Sequence, residues 1–399
     1  MQYRQVPKNG DNLSALGFGA MRLPTKRMKI DEERATRQIR DAIDSGVNYI
    51  DTAVPYHGGE SERFLGRALQ DGYREKVKLA TKLPPWSVKT REDMDRILDI
   101  QLKKLRTDHI DYYLIHSLEA NSWKRLLELG VLEFLDSAKA AGKIVNTGFS
   151  SHCDRRTFKE IIDAYDWVFC QIQYNYLDEM NQAGTEGLQY AASKKIAVMV
   201  MEPLRGGMLA ANLPKDVQEI YRTAKPERSA AEWALRWVWN HPEVTVVLSG
   251  MNDEKHIAEN IQACEDALPG SMTAGELATI DAVAKTYGRL IKVGCTGCAY
   301  CMPCPFGVNI PLSFNLYNNY FTGGSRIFVR GMYGISLMGA MGPAADPSLC
   351  RNCGKCAKAC PQKIAIPEEL VKVRRTLGGL RTKLLLPFVR LMFSPEVKE

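Results

Sequence analysis

Eight of the chain's eleven cysteines fall between Cys295 and Cys360, in two tightly spaced runs. The second run, Cys350, Cys353, Cys356 and Cys360, has the C-x2-C-x2-C-x3-C-P spacing that wraps an iron–sulfur cubane. Three thiolates come from one short loop, and the distant cysteine before proline commonly ligates a second cluster. The first run, Cys295, Cys298, Cys301 and Cys304, also ends in Cys-Pro but has only two residues before its last cysteine. Zinc is the competing reading, because four thiolates from two C-x2-C knuckles make a tetrahedral site. A third cysteine in each run and the closing prolines favour iron–sulfur. Cys153, Cys170 and Cys264 stand alone and read as small buried hydrophobes. The opening MQYRQVPKNGDN has no apolar core, so no secretory leader is expected and the location expected is cytoplasmic. In that setting clustered cysteines read as metal ligands rather than disulfides.

A second set of reactive residues lies far upstream. Asp51 follows GVNYI, Lys82 follows VKLAT and His116 follows HIDYYLI, while Tyr56 stands in the loop just after Asp51. Each has a plain alternative: Asp51 as a helix cap, Lys82 as a surface charge, His116 as a satisfied core histidine. Four such groups on successive strand ends are harder to dismiss, since a carboxylate, an amine, a phenol and an imidazole together can move protons.

The elements that must hold these residues are legible in the pattern. LGFGAM, GVNYID, VKLATK, HIDYYLIH, IVNTGFS, WVFCQI, IAVMVM and VTVVLSG are eight strand-like runs. Amphipathic segments such as DEERATRQIRDAIDSG, SERFLGRALQDG, REDMDRILDIQLKKL and SAAEWALRWVWNHP separate them. Asp31, Ser61 and Ser229 are the expected N-caps, and Gly46 and Gly142 the expected helix stops. Eight strand–helix alternations predict an α/β fold, a closed (β/α)8 TIM barrel whose chemistry sits at the C-terminal strand ends. No G-x-G-x-x-G follows the first strand, so a dinucleotide-binding open sheet lacks its fingerprint. The domains expected are a barrel over 1–287, an α-rich ferredoxin-like iron–sulfur domain over 288–370 and a basic amphipathic tail over 371–399.

Over roughly the first 285 residues the chain resembles the aldo-keto reductase superfamily, carrying DTAVPY, ATK and LIH in the family's order. The resemblance implies an oxidoreductase that reduces a carbonyl, or oxidises an alcohol, by hydride transfer from a nicotinamide cofactor. Tyr56 would be the general acid, Lys82 would lower its pKa, Asp51 would hold Lys82 charged, and His116 would orient the carbonyl. It further implies that Ser150, Ser151, Gln171 and Met201 hold the nicotinamide. Leu204, Arg205 and Gly206 would take the pyrophosphate, and Gly250, His256, Glu259 and Asn260 the adenosine end. Ser151 replaces the family's usual asparagine, Met201 its stacking tyrosine, and Gly250 and His256 its usual basic clamp. The cofactors expected are therefore NADP(H) or NAD(H), with a flavin as the alternative, and one or two 4Fe–4S clusters. On the ferredoxin pattern Cys360 would join the first cluster and Cys304 the second.

The electron count separates the functional alternatives, because a nicotinamide gives up two electrons at once and a cluster passes one. The leading expectation is a carbonyl reductase whose clusters are structural, sensing, or linked to an external electron carrier. The alternatives are a flavin- or ferredoxin-coupled reductase in which the clusters feed the barrel, and a non-catalytic redox-sensing subunit. The net charge of +7 owes much to six basic residues and no acid between Val371 and Phe393, namely Lys372, Arg374, Arg375, Arg381, Lys383 and Arg390. Nothing in the N-terminal part suggests nucleic acid. Gly378, Gly379 and Pro387 interrupt the tail, so packing on the protein is expected ahead of membrane association. No run approaches the roughly 20 apolar residues that span a bilayer.

Overall fold

The computed structural model describes residues 1–27, 29–211, 213–295, 301–322, 325–339, 343–360, 364–379, 382 and 384. Cys298 and most of the tail lie outside the described residues. Eight parallel strands close into a barrel: β1 (Leu16–Gly19), β2 (Tyr49–Asp51), β3 (Lys78–Leu83), β4 (Ile110–Leu118), β5 (Ile144–Ser151), β6 (Phe169–Gln173), β7 (Ala197–Met201) and β8 (Val244–Ser249). β8 pairs back onto β1 through Val247–Leu16 and Leu248–Gly17. Eight helices wrap this ring: α1 (Glu32–Asp44), α2 (Ser61–Ala68), α3 (Arg91–Leu105), α4 (Val131–Ala140), α5 (Arg155–Asp163), α6 (Gly184–Ser193), α7 (Ala230–Trp239) and α8 (Glu254–Glu265). Two further helices, Ala120–Glu128 and Lys215–Thr223, sit in the loops after β4 and β7, and α9 (Ala274–Leu290) completes the barrel.

The caps show how local chemistry sets these boundaries. Asp31 accepts from the Arg34 amide and Ser229 from the Glu232 amide, as expected of N-caps. Gly46 and Gly142 follow their helices at φ +99° and +70°. Ser61 departs from expectation: Glu60 holds the cap position and Ser61 is the first helical residue. Its buried hydroxyl is spent instead on Thr52 Oγ1 at 2.8 Å and the Ala20 carbonyl at 3.2 Å, which tie α2 to the ends of β1 and β2.

Side chains alternate across a strand, so every second residue faces the barrel axis. One interior layer contains Tyr49, Ala80, Leu114, Phe169, Met199 and Leu248, all buried. On β5 and β1 the same level is taken by Gly148 and Gly17. A Cβ on Gly148 would fall 2.4 Å from the Phe169 ring, and one on Gly17 2.7 Å from Val246. Glycine at these places gives the large rings room to fill the axis, as a packed barrel core requires. At the opposite end a hairpin (Tyr3–Gln5 with Asn12–Ser14) covers the barrel floor. There Arg4 donates to the carbonyls of Trp239, His241, Val244 and Ala267.

Beyond α9 the chain builds a second, smaller core from α10 (Ile310–Phe321), α11 (Arg326–Ser336), the short α12 (Lys355–Ala359) and α13 (Ile366–Leu377). Phe314, Tyr317, Val329, Tyr333, Leu370, Val373 and Leu377 are buried in it, with Cys295, Cys301, Cys304, Cys350, Cys356 and Cys360 packed against its edge. Asn318 staples this unit to the end of α9: its Oδ1 accepts from the Lys292 and Val293 amides, and its Nδ2 donates to the Val293 carbonyl. α13 runs straight through residue 371, so the first turns of the basic segment pack on the protein. Among the described residues no helix is long and apolar enough to cross a membrane.

Candidate active site

Moving two positions up each strand from the interior layer reaches the mouth of the barrel. Tyr49 leads to Asp51, Ala80 to Lys82, Leu114 to His116, Gly148 to Ser150, Phe169 to Gln171, Met199 to Met201 and Leu248 to Gly250. Strand parity turns these residues inward as surely as the apolar ones beneath them. Asp51 pairs in register with Ala80, and Lys82 with Leu114. Each reactive side chain thus stands two residues above its neighbour's partner, the stagger of a tilted barrel strand.

Lys82 and Asp51 are 1% and 2% exposed. The ammonium donates to both Asp51 oxygens at 2.7 Å and to the Thr52 carbonyl at 2.8 Å. Burial pulls the Lys82 pKa down and pushes that of Asp51 up, and each charge opposes the other's shift. Glu62, buried behind them on α2, also acts on Lys82. It accepts from Thr81 Oγ1 at 2.7 Å and Gln101 Nε2 at 2.8 Å. Tyr56 opens a short turn, with its amide donating to the Ala53 carbonyl. Its ring centroid is 5.1 Å from Lys82 Nζ and 6.3 Å from the His116 ring. The structure therefore brings all four expected residues together.

Burial dominates the electrostatics at Tyr56. The Tyr56 phenol is held well above the ordinary tyrosine value by burial, then by the Asp51 and Glu202 carboxylates. Tyr56 is thereby kept protonated while part of its surface stays open at the mouth. Lys82 Nζ, held by Asp51 at two contacts, lies 5.1 Å from the centre of the Tyr56 ring. His116 is driven well below the ordinary histidine value by burial, then by Lys82 and His152. Its ring is neutral, and the buried Nδ1 has no hydrogen-bond partner.

A bulge aims His116. Ile115 pairs with Phe149 and Leu118 with Ser151, so β4 carries one more residue than β5 across that stretch. Ser117 sits at φ +48°, and its amide donates to Ser150 Oγ at 2.8 Å. A left-handed conformation at a non-glycine beside a reactive group is strain that the surrounding sheet must hold.

The proposed cofactor contacts divide. Gln171 is buried, its Oε1 lacks a partner and its Nε2 faces Met201 Sδ at 3.6 Å. An unpaired amide oxygen at the mouth fits a carboxamide donor. The Ser150 hydroxyl keeps its own hydrogen to donate, but that of Ser151 is spent on Leu118 O and Cys153. Arg205 and Gly206 lie in a turn at φ +47° and +68° after β7, next to Leu204. Arg205 ion-pairs with Asp178, Nε to Oδ2 3.1 Å. Asn260 is buried against Ser249 Oγ at 3.0 Å, and Glu259 accepts from Ser229. His256 stands exposed on α8.

Two residues escaped the sequence reading. Trp86 lies 5.2 Å from the His116 ring, in a turn whose Pro85 and Val88 carbonyls are clamped by Arg125. Arg22, just past β1, spreads its stem under Gly250, where a Cβ would fall 3.2 Å from it, and brings Nη2 toward Gly206. The readable signal for Arg22 was a cation directly after a barrel strand.

The second core meets the barrel at this same mouth. Thr322, at the end of α10, donates to Met208 Sδ at 3.1 Å in the loop after β7, and the Arg22 guanidinium lies 5.6 Å from the Phe328 ring of α11. Within the module, the charges of Cys350 and Cys304 both bear on Cys356, whose thiol burial already pushes up. Cys304 of the first run therefore lies near enough to the second run for its charge to act there. Among the described residues no three His, Cys, Asp or Glu side chains converge to hold a single ion.

The aldo/keto reductase family model matches residues 15–284, and a 4Fe-4S dicluster domain model matches residues 294–366. The chain is 27% identical to the methylglyoxal reductase YeaE of Escherichia coli, over 70% of this chain and 95% of that protein. It is 24% identical to the L-galactose dehydrogenase of Arabidopsis thaliana, over 73% of this chain and 96% of that protein. The holo form of the aldo-keto reductase AKR11C1 from Bacillus halodurans superposes with a TM-score of 0.61 at 27% identity, covering 71% of this chain and 96% of that one. These relatives are matched nearly end to end by the barrel, so the iron–sulfur module is additional to their architecture. The chain belongs to the aldo/keto reductase family, is an oxidoreductase, and carries a C-terminal iron–sulfur domain.

Proposed function

We propose that this member of the aldo/keto reductase family reduces a small carbonyl compound, or oxidises the matching alcohol, with a nicotinamide dinucleotide, NADP(H) or NAD(H). The observation that carries the reading is the buried Asp51–Lys82 pair, with the Tyr56 and His116 rings grouped above it on the barrel axis. The bound dinucleotide supplies the hydride. Tyr56, held protonated, delivers its phenolic hydrogen to the carbonyl oxygen as negative charge develops there. Neutral His116 donates one N–H to the same oxygen and fixes its direction. Asp51 locks Lys82 in place beneath the phenol, so that a phenolate forming on Tyr56 meets a cation. Ser150 and Gln171 are the donors and acceptors best placed to seat the carboxamide, and Arg22 adds a cation between the loops after β7 and β8.

The substrate class follows from the mouth and the relatives together. Trp86 forms an apolar wall beside His116. Two relatives are named for small carbonyl-containing compounds, a methylglyoxal reductase and an L-galactose dehydrogenase. Tyr56→Phe is expected to lower kcat for nicotinamide-dependent carbonyl reduction by at least about 100-fold, the usual worth of a general acid. Turnover retained by that variant would refute the assignment.

A second reading is favoured by the seating of the module on the loops after β1 and β7. In it the clusters relay electrons to the barrel through a flavin that converts single electrons to pairs. The absorbance spectrum of anaerobically purified protein separates the two, since a flavin adds structured blue bands to the broad brown absorbance of clusters.

A further inference from the structure

We infer that the loop Arg351–Lys358 is a docking face for a small, acidic, one-electron carrier protein; this rests on the reading that the cysteine module holds iron–sulfur clusters. Four observations converge on it. Cys353, the second ligand of the second run, is an exposed cysteine. Arg351, Lys355 and Lys358 are exposed around it, and Asn352 beside it is exposed too. Among the described residues none of the three cations is in an ion pair, whereas cations across the barrel surface repeatedly pair with carboxylates, as do Arg37, Arg67 and Lys76. Asn352 and Gly354 are left-handed, at φ +53° and +72°, and so turn the chain sharply on either side of Cys353.

The wider charge distribution points the same way. Residues 288–399 contain fifteen Lys and Arg against five Asp and Glu, so the module is +10 while the rest of the chain is −3. An acidic carrier is therefore attracted to the module's excess of positive charge and not to the net acidic remainder of the chain. Cations left unpaired around a redox centre favour rapid encounter over tight binding, which suits a partner that must leave after each transfer. Each encounter would move one electron between the carrier's centre and a cluster that Cys350, Cys353 and Cys356 would help to hold. One centre is oxidised and the other reduced, and no bond is made or broken. A protein partner is preferred to an anionic membrane because the loop presents cations and a ligand but no exposed apolar side chain.

The test uses the full-length, cluster-loaded protein and an acidic plant-type ferredoxin as probe, with basic cytochrome c as the charge-opposite control. Calorimetry is expected to show ferredoxin binding that weakens at least tenfold from about 50 to 200 mM salt, and no cytochrome c binding. Arg351→Glu/Lys355→Glu/Lys358→Glu should lose at least tenfold in affinity at low salt, with iron and sulfide contents and nicotinamide-dependent turnover unchanged. Lys372→Glu/Arg374→Glu/Arg375→Glu, three reversals on α13 that match the change in net charge, should lose less than threefold. Equal losses in the two variants, equal binding of cytochrome c, binding to phosphatidylserine vesicles in place of ferredoxin, or no binding by iron-loaded protein would each overturn the docking face. Protein that holds neither iron nor sulfide when purified anaerobically sinks the module reading itself, and the docking face with it.

Discussion

Removing the Asp51 carboxylate should cost more than any contact on the barrel surface. Both charges of the Asp51–Lys82 pair are nearly inaccessible, with side chains 3% and 1% exposed, and the ammonium's three hydrogen bonds at 2.7–2.8 Å leave it no donor to spare. Asp51→Asn strands a buried cation, and breaking one partner of a buried pair costs about 3–5 kcal/mol. Lys82→Met strands the carboxylate and should cost about the same. Replacing both partners together, Asp51→Leu/Lys82→Met, removes both desolvation penalties, so its cost should fall well below the sum of the two singles. At about 2 °C per kcal/mol for a domain of this size, each single variant should melt about 6–10 °C lower. The assay is specific to the barrel, because all six tryptophans lie between Trp86 and Trp239 and none lies in the module. Tryptophan fluorescence against urea or temperature therefore reports this unit alone. Single variants that each lose under about 1 kcal/mol, or a double variant that loses the full sum, would refute the claim that the pair is held by mutual neutralisation in a dry site.

The pH profile tests the electrostatics of the two rings. Carbonyl reduction needs Tyr56 protonated and His116 neutral. With the first raised above its ordinary value near 10 and the second pushed below 6.5, kcat for reduction should be flat between those limits, while alcohol oxidation, which needs the phenolate, should still be rising at pH 10; an alkaline limb for reduction near pH 8 would contradict this. Chelation and oxidation of the iron should open the module to protease beyond about Leu290 while leaving tryptophan fluorescence unchanged, because the two hydrophobic cores are built from separate residues; joint unfolding of the barrel would show the division to be wrong.

The barrel was legible because its strands are short apolar runs punctuated by capped amphipathic helices, and a period of two carries side-chain direction with it. Asp51, Lys82 and His116 could be picked out for the same reason, since each lies two residues beyond an interior apolar position. Features decided by three-dimensional proximity were not legible. The bulge at His116–Ser117 depends on how β4 meets β5, and no local residue type announces it. Ser61 has the side chain of an N-cap, yet the nearby hydroxyl of Thr52 offers a buried partner that outweighs capping. The upward direction of the Tyr56 shift turns first on burial, which only the folded chain sets. Arg22 and Trp86 belong to loops, where sequence pattern carries little positional information.

The position of the module bears on whether its electrons serve the barrel. A (β/α)8 barrel is packed through its axis, here by Tyr49, Tyr112, Phe169 and Met199, and its strands are on the order of 20 Å long. A module fixed to the hairpin floor would face the reactive side chains across that whole length of apolar packing. This module instead touches Arg22 and Met208, in the loops after β1 and β7, on the rim that also carries Asp51, Lys82 and His116. A unit that only braces the fold gains nothing from that rim, because bracing is available on any face, and loops that shape a cofactor site are the costliest ones to immobilise. Contact there joins the loops after β1 and β7 to the module through Phe328 and Thr322. Coupling between cluster state and barrel chemistry then requires no electron path at all, only that cofactor affinity differ between the oxidised and reduced module. By linkage, a dinucleotide that binds one state more tightly must shift the cluster's reduction potential by the same free energy.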